Sequence, residues 1–359
     1  MTIAHRRAPG RCPRLRLVLL SALLIGGALP GCVPVATHAD RVALPLFDAH
    51  THLNGDMTAE TLIEWMDRAG VRKMALMPRH YSDDGRATDE QAAAYAAKYP
   101  DRFVAFIGGQ RGDLWNSRAW TTDSHFLSQA EAKLRTGRYG GLGEFILHHY
   151  GYNRLVPTTH QHISGDIELP ADSPLMFEIA DLAARFDVPV VLHAEAESQT
   201  AAQMRRLLER SPRTRIVWAH NCGRGPAAQV AAFLRAHPNL MCDLGQMAVP
   251  LVNPYGYGTG WPAGRSRHIS IVQYRGGDVA SDMRDLFEAF PDRFTIGTDT
   301  AHPFQYPRYG DVIEGFRVLL SKLQPETARR IGSDNAERLF GTRDPRTKHG
   351  VRPGLATSG

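Results

Sequence analysis

The 359-residue sequence predicts a single-domain α/β fold, a (β/α)8 TIM barrel, on three observations. Short apolar runs recur along the chain, amphipathic helical segments separate them, and the alternation completes eight rounds in roughly 300 residues. The runs are nearly unbroken, as in strands covered on both faces, rather than alternating as in half-exposed ones. An open doubly wound sheet is the competing arrangement, but no G-x-G-x-x-G follows the first run to support a nucleotide-binding version of it.

The first strand is LPLFDAHTHL (44–53), and TAETLIEWMDRAG supplies its helix. VRKMALMP (71–78) precedes the helical DEQAAAYAAKYP, and FVAFIGG (103–109) is followed by the fourth strand, GLGEFILH (141–148). In SPLMFEIADLAARFD, Leu175, Met176, Ile179, Leu182, Ala183 and Phe186 share one helical face, with Ser173 as N-cap and Pro174 at the first helical position. VPVVLHAEA (188–196) leads to AAQMRRLLERSP, RIVWAHNCG (215–223) to GPAAQVAAFLRAHP, LMCDLGQ (240–246) to SDMRDLFEAFPD, and FTIGTDTAH (294–302) to DVIEGFRVLLSKL. Two connections, 149–170 and 247–278, exceed the usual length of about two to six residues. The second carries Arg265, Arg267, His268 and Arg275. Loops after barrel strands lie on the face that holds active sites, so both read as substrate walls or lids.

Residues 1–31 read as a signal peptide. Arg6, Arg7, Arg11, Arg14 and Arg16 form a positive leader, and Leu17 to Leu29 is an apolar stretch too short for a comfortable membrane span. Leu29-Pro30-Gly31-Cys32 resembles the lipobox of bacterial lipoproteins, which implies lipidation of Cys32 and a periplasmic protein anchored to a membrane. Cleavage after Ala39, releasing a soluble periplasmic protein, is the alternative. Residues 32–42 are a short linker, 43–341 the barrel, and 342–359 a polar, Pro/Gly-rich flexible tail. The net charge is +5, and the five leader arginines account for all of it. Composition therefore gives no case for nucleic acid as a partner, and the membrane is engaged only through the lipid anchor. The expected partner is a small-molecule substrate; oligomeric state is left open. Cys12 lies in the leader, which leaves Cys222 and Cys242 either to pair on adjacent strands or to serve as small buried hydrophobes.

Ligand-type side chains sit at the ends of these apolar runs. Residues i and i+2 of a strand share a face, so His50 and His52 are expected to project into the barrel mouth, with Asp48 one step deeper. Glu144 follows on the fourth strand, His193 on the fifth, His220 on the sixth and Asp299 on the eighth. A single such residue is more often structural. Six on five strands converging on one mouth are read as a metal site, because such groups are costly to bury unpaired.

The set FDAHTHL, LHAE, WAHN, GTDT and the late SDNAERLF resembles the amidohydrolase superfamily over residues 43–341. It is most similar to the branch of metal-dependent hydrolases, lactonases and non-oxidative decarboxylases. The resemblance implies that His50, His52, His193 and Asp299 bind the principal metal, with His220 polarising the substrate or moving a proton in a mononuclear site. It also implies a binuclear alternative, in which Glu144 bridges two ions, His50, His52 and Asp299 hold the first, and His193 and His220 the second. Glu144 as a carboxylate that only orients a ligand histidine remains equally open.

Imidazoles and carboxylates suit Zn2+, one or two ions of it, with a coordination place left for water. The expected activity is hydrolysis of an ester, lactone or amide bond, with Asp299 and His220 as catalytic groups. A non-oxidative decarboxylase is the alternative, and a non-catalytic lipid-anchored binding protein a third. Arg79, Arg275 and His302 are the substrate-binding candidates, the arginines as grips for a carboxylate. His80 and one of His148 and His149 are weaker candidates for the mouth. In SDNAERLF, Asp334 is expected to cap a helix, and Leu339 and Phe340 to pack on the barrel base.

Overall fold

The protein is described here from a computed structural model, covering residues 44–81, 87–112, 119–149, 167–248, 271–273, 278–301 and 303–340. The signal segment, Cys32, the linker, Arg265, Arg267, His268, Arg275, His302 and the tail lie outside the described residues.

Eight parallel strands follow one another around a barrel: β1 Leu46–Leu53, β2 Val71–Tyr81, β3 Phe103–Ile107, β4 Gly141–His149, β5 Val190–Ala194, β6 Ile216–Trp218, β7 Leu240–Asp243 and β8 Phe294–Thr295. The ring closes between β8 and β1, where Ala49 N donates to Ile296 O at 3.0 Å and His52 N to Thr300 O at 3.0 Å. Short pieces decorate the ring: Gln110–Gly112 extends beside β2, and Ile167–Glu168 pairs antiparallel with β4.

The outer helices are α1 Ala59–Ala69, α2 Asp89–Lys98, α3 Phe126–Arg135, α4 Pro174–Phe186, α5 Ser198–Arg210, α6 Ala227–Ala236, α7 Ser281–Ala289 and α8 Tyr309–Leu320. Three begin on the local signal that the sequence carries: Thr58, Thr88 and Ser173 each accept a hydrogen bond from a backbone N–H of the first turn. The helix not singled out from the sequence, α3, begins at His125 with no side-chain cap, so its start carries no such signal. Pro325 to Phe340 form a last helical run. Asp334 lies inside that run and pairs with Arg329 instead of capping a helix. The anchoring polar residue is Asn335, whose Nδ2 donates to the Pro291 and Phe294 carbonyls, both at 2.8 Å.

Two apolar layers result. Outward-facing strand residues such as Met74, Leu76, Leu192 and Leu240 meet the helices, while Phe47, Ala75, Met77, Val104, Phe106, Val191, Val217 and Met241 fill the barrel interior. Phe340 plugs the base, its ring 6.0 Å from that of Phe47 and 5.2 Å from that of Phe106. The interior is thus packed with apolar side chains at the strand starts, and the ligand-type side chains gather at the opposite mouth. Cys222 and Cys242 form a disulfide with 5.0 Å between Cα atoms and a sequence separation of 20. Closing a loop of that size stabilises by about 3 kcal/mol through the unfolded chain.

Candidate metal centre

Two strand bulges aim the central ligand candidates. On β1, Phe47 and Ala49 face the barrel interior, yet His50 and His52 both reach the mouth, because the pairing with β2 shifts between Asp48 and Thr51. The extra residue turns Asp48 away from the mouth, contrary to simple alternation. Its Oδ1 accepts from Thr298 N at 2.9 Å, and its Oδ2 from Thr298 Oγ1 at 2.7 Å and Tyr309 Oη at 3.0 Å, which fastens β1 to α8. On β4 the pairing with β5 shifts between Leu142 and Phe145, so those two face outward and Glu144 inward. Gly143 allows this: its φ is +125°, and a Cβ there would lie 2.4 Å from the Val191 carbonyl oxygen.

Asp299 and His220 are placed by left-handed backbone. Asp299 has φ 52°, and its N donates to His50 O at 2.7 Å. A side chain at Gly297 would come 2.4 Å from His50 Cβ, so glycine is needed for β8 to approach β1. His220 lies two residues beyond the end of β6, within a left-handed turn rather than on the strand, with φ 56°. The turn continues through Asn221, Cys222, Gly223 and Arg224, all with positive φ. Such a conformation costs about 1–2 kcal/mol per non-glycine residue, so the surroundings must hold it.

All six ligand candidates come together in two groups. In the first, His50 Nε2 is 3.6 Å from both Glu144 Oε2 and Asp299 Oδ1, and His52 Nε2 is 3.3 Å and 3.1 Å from the same two oxygens. Ligands at about 2.0–2.2 Å around a tetrahedral zinc stand roughly 3.3–3.6 Å apart, so this cradle has the size of an ion. His50 Nε2 is buried, points into the cradle and makes no hydrogen bond. In the second group, Glu144 Oε1 is 3.2 Å from His193 Nδ1 and 3.4 Å from His220 Nε2. Each oxygen of Glu144 thus serves one group. The donor set and its spacing suit a metal ion.

The second nitrogens of His50, His193 and His220 are committed elsewhere, which fixes how those rings present themselves, whereas His52 Nδ1 is buried without a hydrogen bond. His50 Nδ1 lies 2.9 Å from Asp243 Oδ2, and the other oxygen of Asp243 accepts from His220 N at 3.1 Å and Gly245 N at 2.8 Å. His220 Nδ1 donates to Gly245 O at 3.0 Å. His193 Nε2 meets Glu195 Oε1 at 3.2 Å, and Glu195 is itself ion-paired with the buried Arg224. Gln110 Nε2 donates to Glu144 Oε2 at 2.8 Å. Reasoning from the sequence assigned no role to Asp243, Glu195, Arg224 or Gln110. Asp243 carried the same signal as the ligands, a carboxylate at the end of an apolar run.

The electrostatics call for positive charge at the centre. Burial opposes protonation of His193, but the Glu144 and Glu195 carboxylates override it and lift its pKa to about 9. Burial likewise opposes the charged form of His50, yet Asp243 and Glu144 hold it well above the ordinary imidazole value. Burial alone would raise Glu144 and Asp299, but the surrounding imidazoles keep both carboxyls low. A divalent cation supplies the same compensation as those protons and competes with them.

Other candidates divide. Arg79 is buried and donates to Ala301 O at 3.1 Å, two residues past Asp299. His80 does not reach the centre; its Nε2 binds Asp89 Oδ1 at 2.6 Å on the helix side. His148 Nδ1 lies 2.8 Å from Thr200 Oγ1, whereas the His149 ring stands 5.0 Å from that of His193, so His149 is the one beside a ligand candidate. Burial and the neighbouring His193 push the His149 pKa down to about 3.

Residues 47–342 match the amidohydrolase family. The chain belongs to that family. Among solved structures, this amidohydrolase-family chain is similar to an uncharacterised TIM-barrel protein from Bordetella bronchiseptica, with 17% identity over 79% of this chain and 83% of that one and a TM-score of 0.50. It is similar also to an amidohydrolase II protein, with 12% identity over 82% and 99% of the two chains and a TM-score of 0.50. At these identities the likeness speaks for the barrel alone. Comparison with curated proteins gives no significant match.

Proposed function

We propose that the chain is a metal-dependent hydrolase that uses a Glu144-bridged pair of divalent ions, zinc by preference, to cleave an ester, lactone or amide bond of a small molecule. The observation that carries this reading is the division of one buried carboxylate between two ligand groups, His50–His52–Asp299 and His193–His220. Three or four protein ligands per ion leave coordination room for water and substrate. The ions supply an acidified water and electrostatic stabilisation of a developing oxyanion. Asp299 is 16% exposed where Glu144 is 2%, so it is the carboxylate of the two that substrate can reach. It accepts the attacking water's proton and returns it to the leaving group. His50, His193 and His220 are held in orientation by Asp243, Glu195 and Gly245, so little reorganisation is required during turnover.

The buried Arg79 beside the Asp299 segment suits a substrate that carries a carboxylate, and this supports a second reading, a non-oxidative decarboxylase. A panel of esters, lactones, amides and aromatic acids, run with zinc-loaded and chelated protein, separates the two. Hydrolysis that disappears on chelation and falls by about 10²–10⁴ in Asp299→Asn supports the first reading. Carbon dioxide release without hydrolysis transfers the assignment to the second, and bound metal without any turnover transfers it to a binding protein.

We further propose that residues 1–31 export the chain and that Cys32 carries a lipid anchor on the periplasmic side. The buried disulfide supports an oxidising compartment. Fractionation of cells that express the full chain tests the anchor: it should sediment with membranes, and Cys32→Ala should not.

A further inference from the structure

We propose that the Cys222–Cys242 disulfide is a positioning element of the metal centre, holding the left-handed turn that presents His220. The coupling to a second ion rests on the two-ion reading above; the positioning of His220 does not.

Five consecutive residues, His220 to Arg224, have positive φ, with values of 56°, 55°, 53°, 74° and 61°. Only Gly223 adopts such backbone without penalty, and a Cβ at that position would lie 2.2 Å from the Ala194 carbonyl oxygen. The other four must be held. Cys222 sits two residues after His220, and Cys242 immediately precedes Asp243, so the bond ties together the two segments that meet in the hydrogen bond from His220 N to Asp243 Oδ1 at 3.1 Å. The same Asp243 orients His50 at 2.9 Å. On the far side of Cys222, Arg224 reaches Glu195, which holds His193. Noncovalent contacts act on the turn as well: His220 Nδ1 donates to Gly245 O at 3.0 Å, Asn221 Nδ2 to Gly225 O at 3.2 Å, and Ala196 N to Gly223 O at 2.9 Å. One covalent bond thus stands between two ligand-orienting carboxylates, on the strained segment that carries the ligand between them.

Both cysteines are buried, so substitution tests the bond better than a reductant. The full chain is compared as wild type, as Cys222→Ala with Cys242→Ala, and as Cys222→Gly with Cys242→Ala. Two quantities are read: backbone amide exchange at 219–224 in metal-free protein, with α1 as internal reference, and zinc retained per chain. The alanine pair should lose protection at the turn roughly tenfold more than at α1, and should bind the ion of the His193–His220 group roughly tenfold more weakly, with a smaller loss at the first group. The glycine pair should recover a large part of both losses, because glycine takes a positive φ without strain. Unchanged protection at His220 in the alanine pair overturns the proposal, and so does a loss spread evenly over α1 and the turn, which would make the bond a general staple. A wild type that binds one ion removes the two-ion reading, and the exchange comparison then decides the positioning role alone.

Discussion

Asp243→Asn is the most discriminating single change outside the ligands themselves. The aspartate is fully enclosed and serves three donors, His50 Nδ1 at 2.9 Å, His220 N at 3.1 Å and Gly245 N at 2.8 Å. An asparagine keeps one oxygen for the two backbone donors, but turns an NH2 group toward His50 Nδ1. Two donors then face each other, and His50 escapes by moving its proton to Nε2, the atom aimed at the Glu144 and Asp299 oxygens. A protonated Nε2 cannot bind a metal. Loss of such an orienting partner typically lowers metal affinity about 10–100-fold, which is about 1.4–2.7 kcal/mol. Competition with a chelator of known affinity measures this, and circular dichroism of the metal-free variant checks the fold. An Asp243→Asn protein that binds metal as tightly as wild type would refute the role given to this carboxylate.

Three further outcomes are expected. Phe340→Ala empties the plug between Phe47 and Phe106 and should cost about 3–5 kcal/mol in denaturant unfolding, while the ligands 50 and 52, at the opposite mouth, still bind metal. Asp89 is buried and accepts from His80, Gly108, Arg111 and Lys133, so Asp89→Asn should destabilise by about 3–5 kcal/mol at neutral pH. Burial alone would raise the Asp89 pKa, but the hydrogen bond from His80 and the Arg111 and Lys133 charges hold it below the ordinary aspartate value of 3.8. Its contribution is therefore complete above that value and is lost as pH falls below it; wild type should lose stability on acidification more steeply than Asp89→Asn, and parallel slopes in a pH series of unfolding curves would contradict this.

Much of the barrel was legible because apolar runs and amphipathic helices record burial on both faces of a parallel sheet. The boundaries were less so. β8 spans only Phe294–Thr295 where the run FTIGTDTAH suggested more, because glycine and left-handed backbone take over at Gly297 and Asp299. The strand-end histidines and carboxylates marked the centre correctly as a cluster, but period-two alternation misplaced Asp48, since a bulge changes face without any residue that announces it. Likewise His220 sits in a left-handed turn that is hydrogen-bonded to Asp243 and bridged to Cys242, both distant in sequence and invisible to local propensity. Asp243 and Glu195 were missed for a different reason: their work is done through another residue's nitrogen, and pattern reading registers ligands before it registers what orients them.

Metal content of the wild type beside Glu144→Ala and His220→Ala tests the shared carboxylate most directly. Two ions per chain are expected in the wild type, and no more than one in either variant. One ion in the wild type, or two in Glu144→Ala, would contradict a centre built around the two oxygens of Glu144.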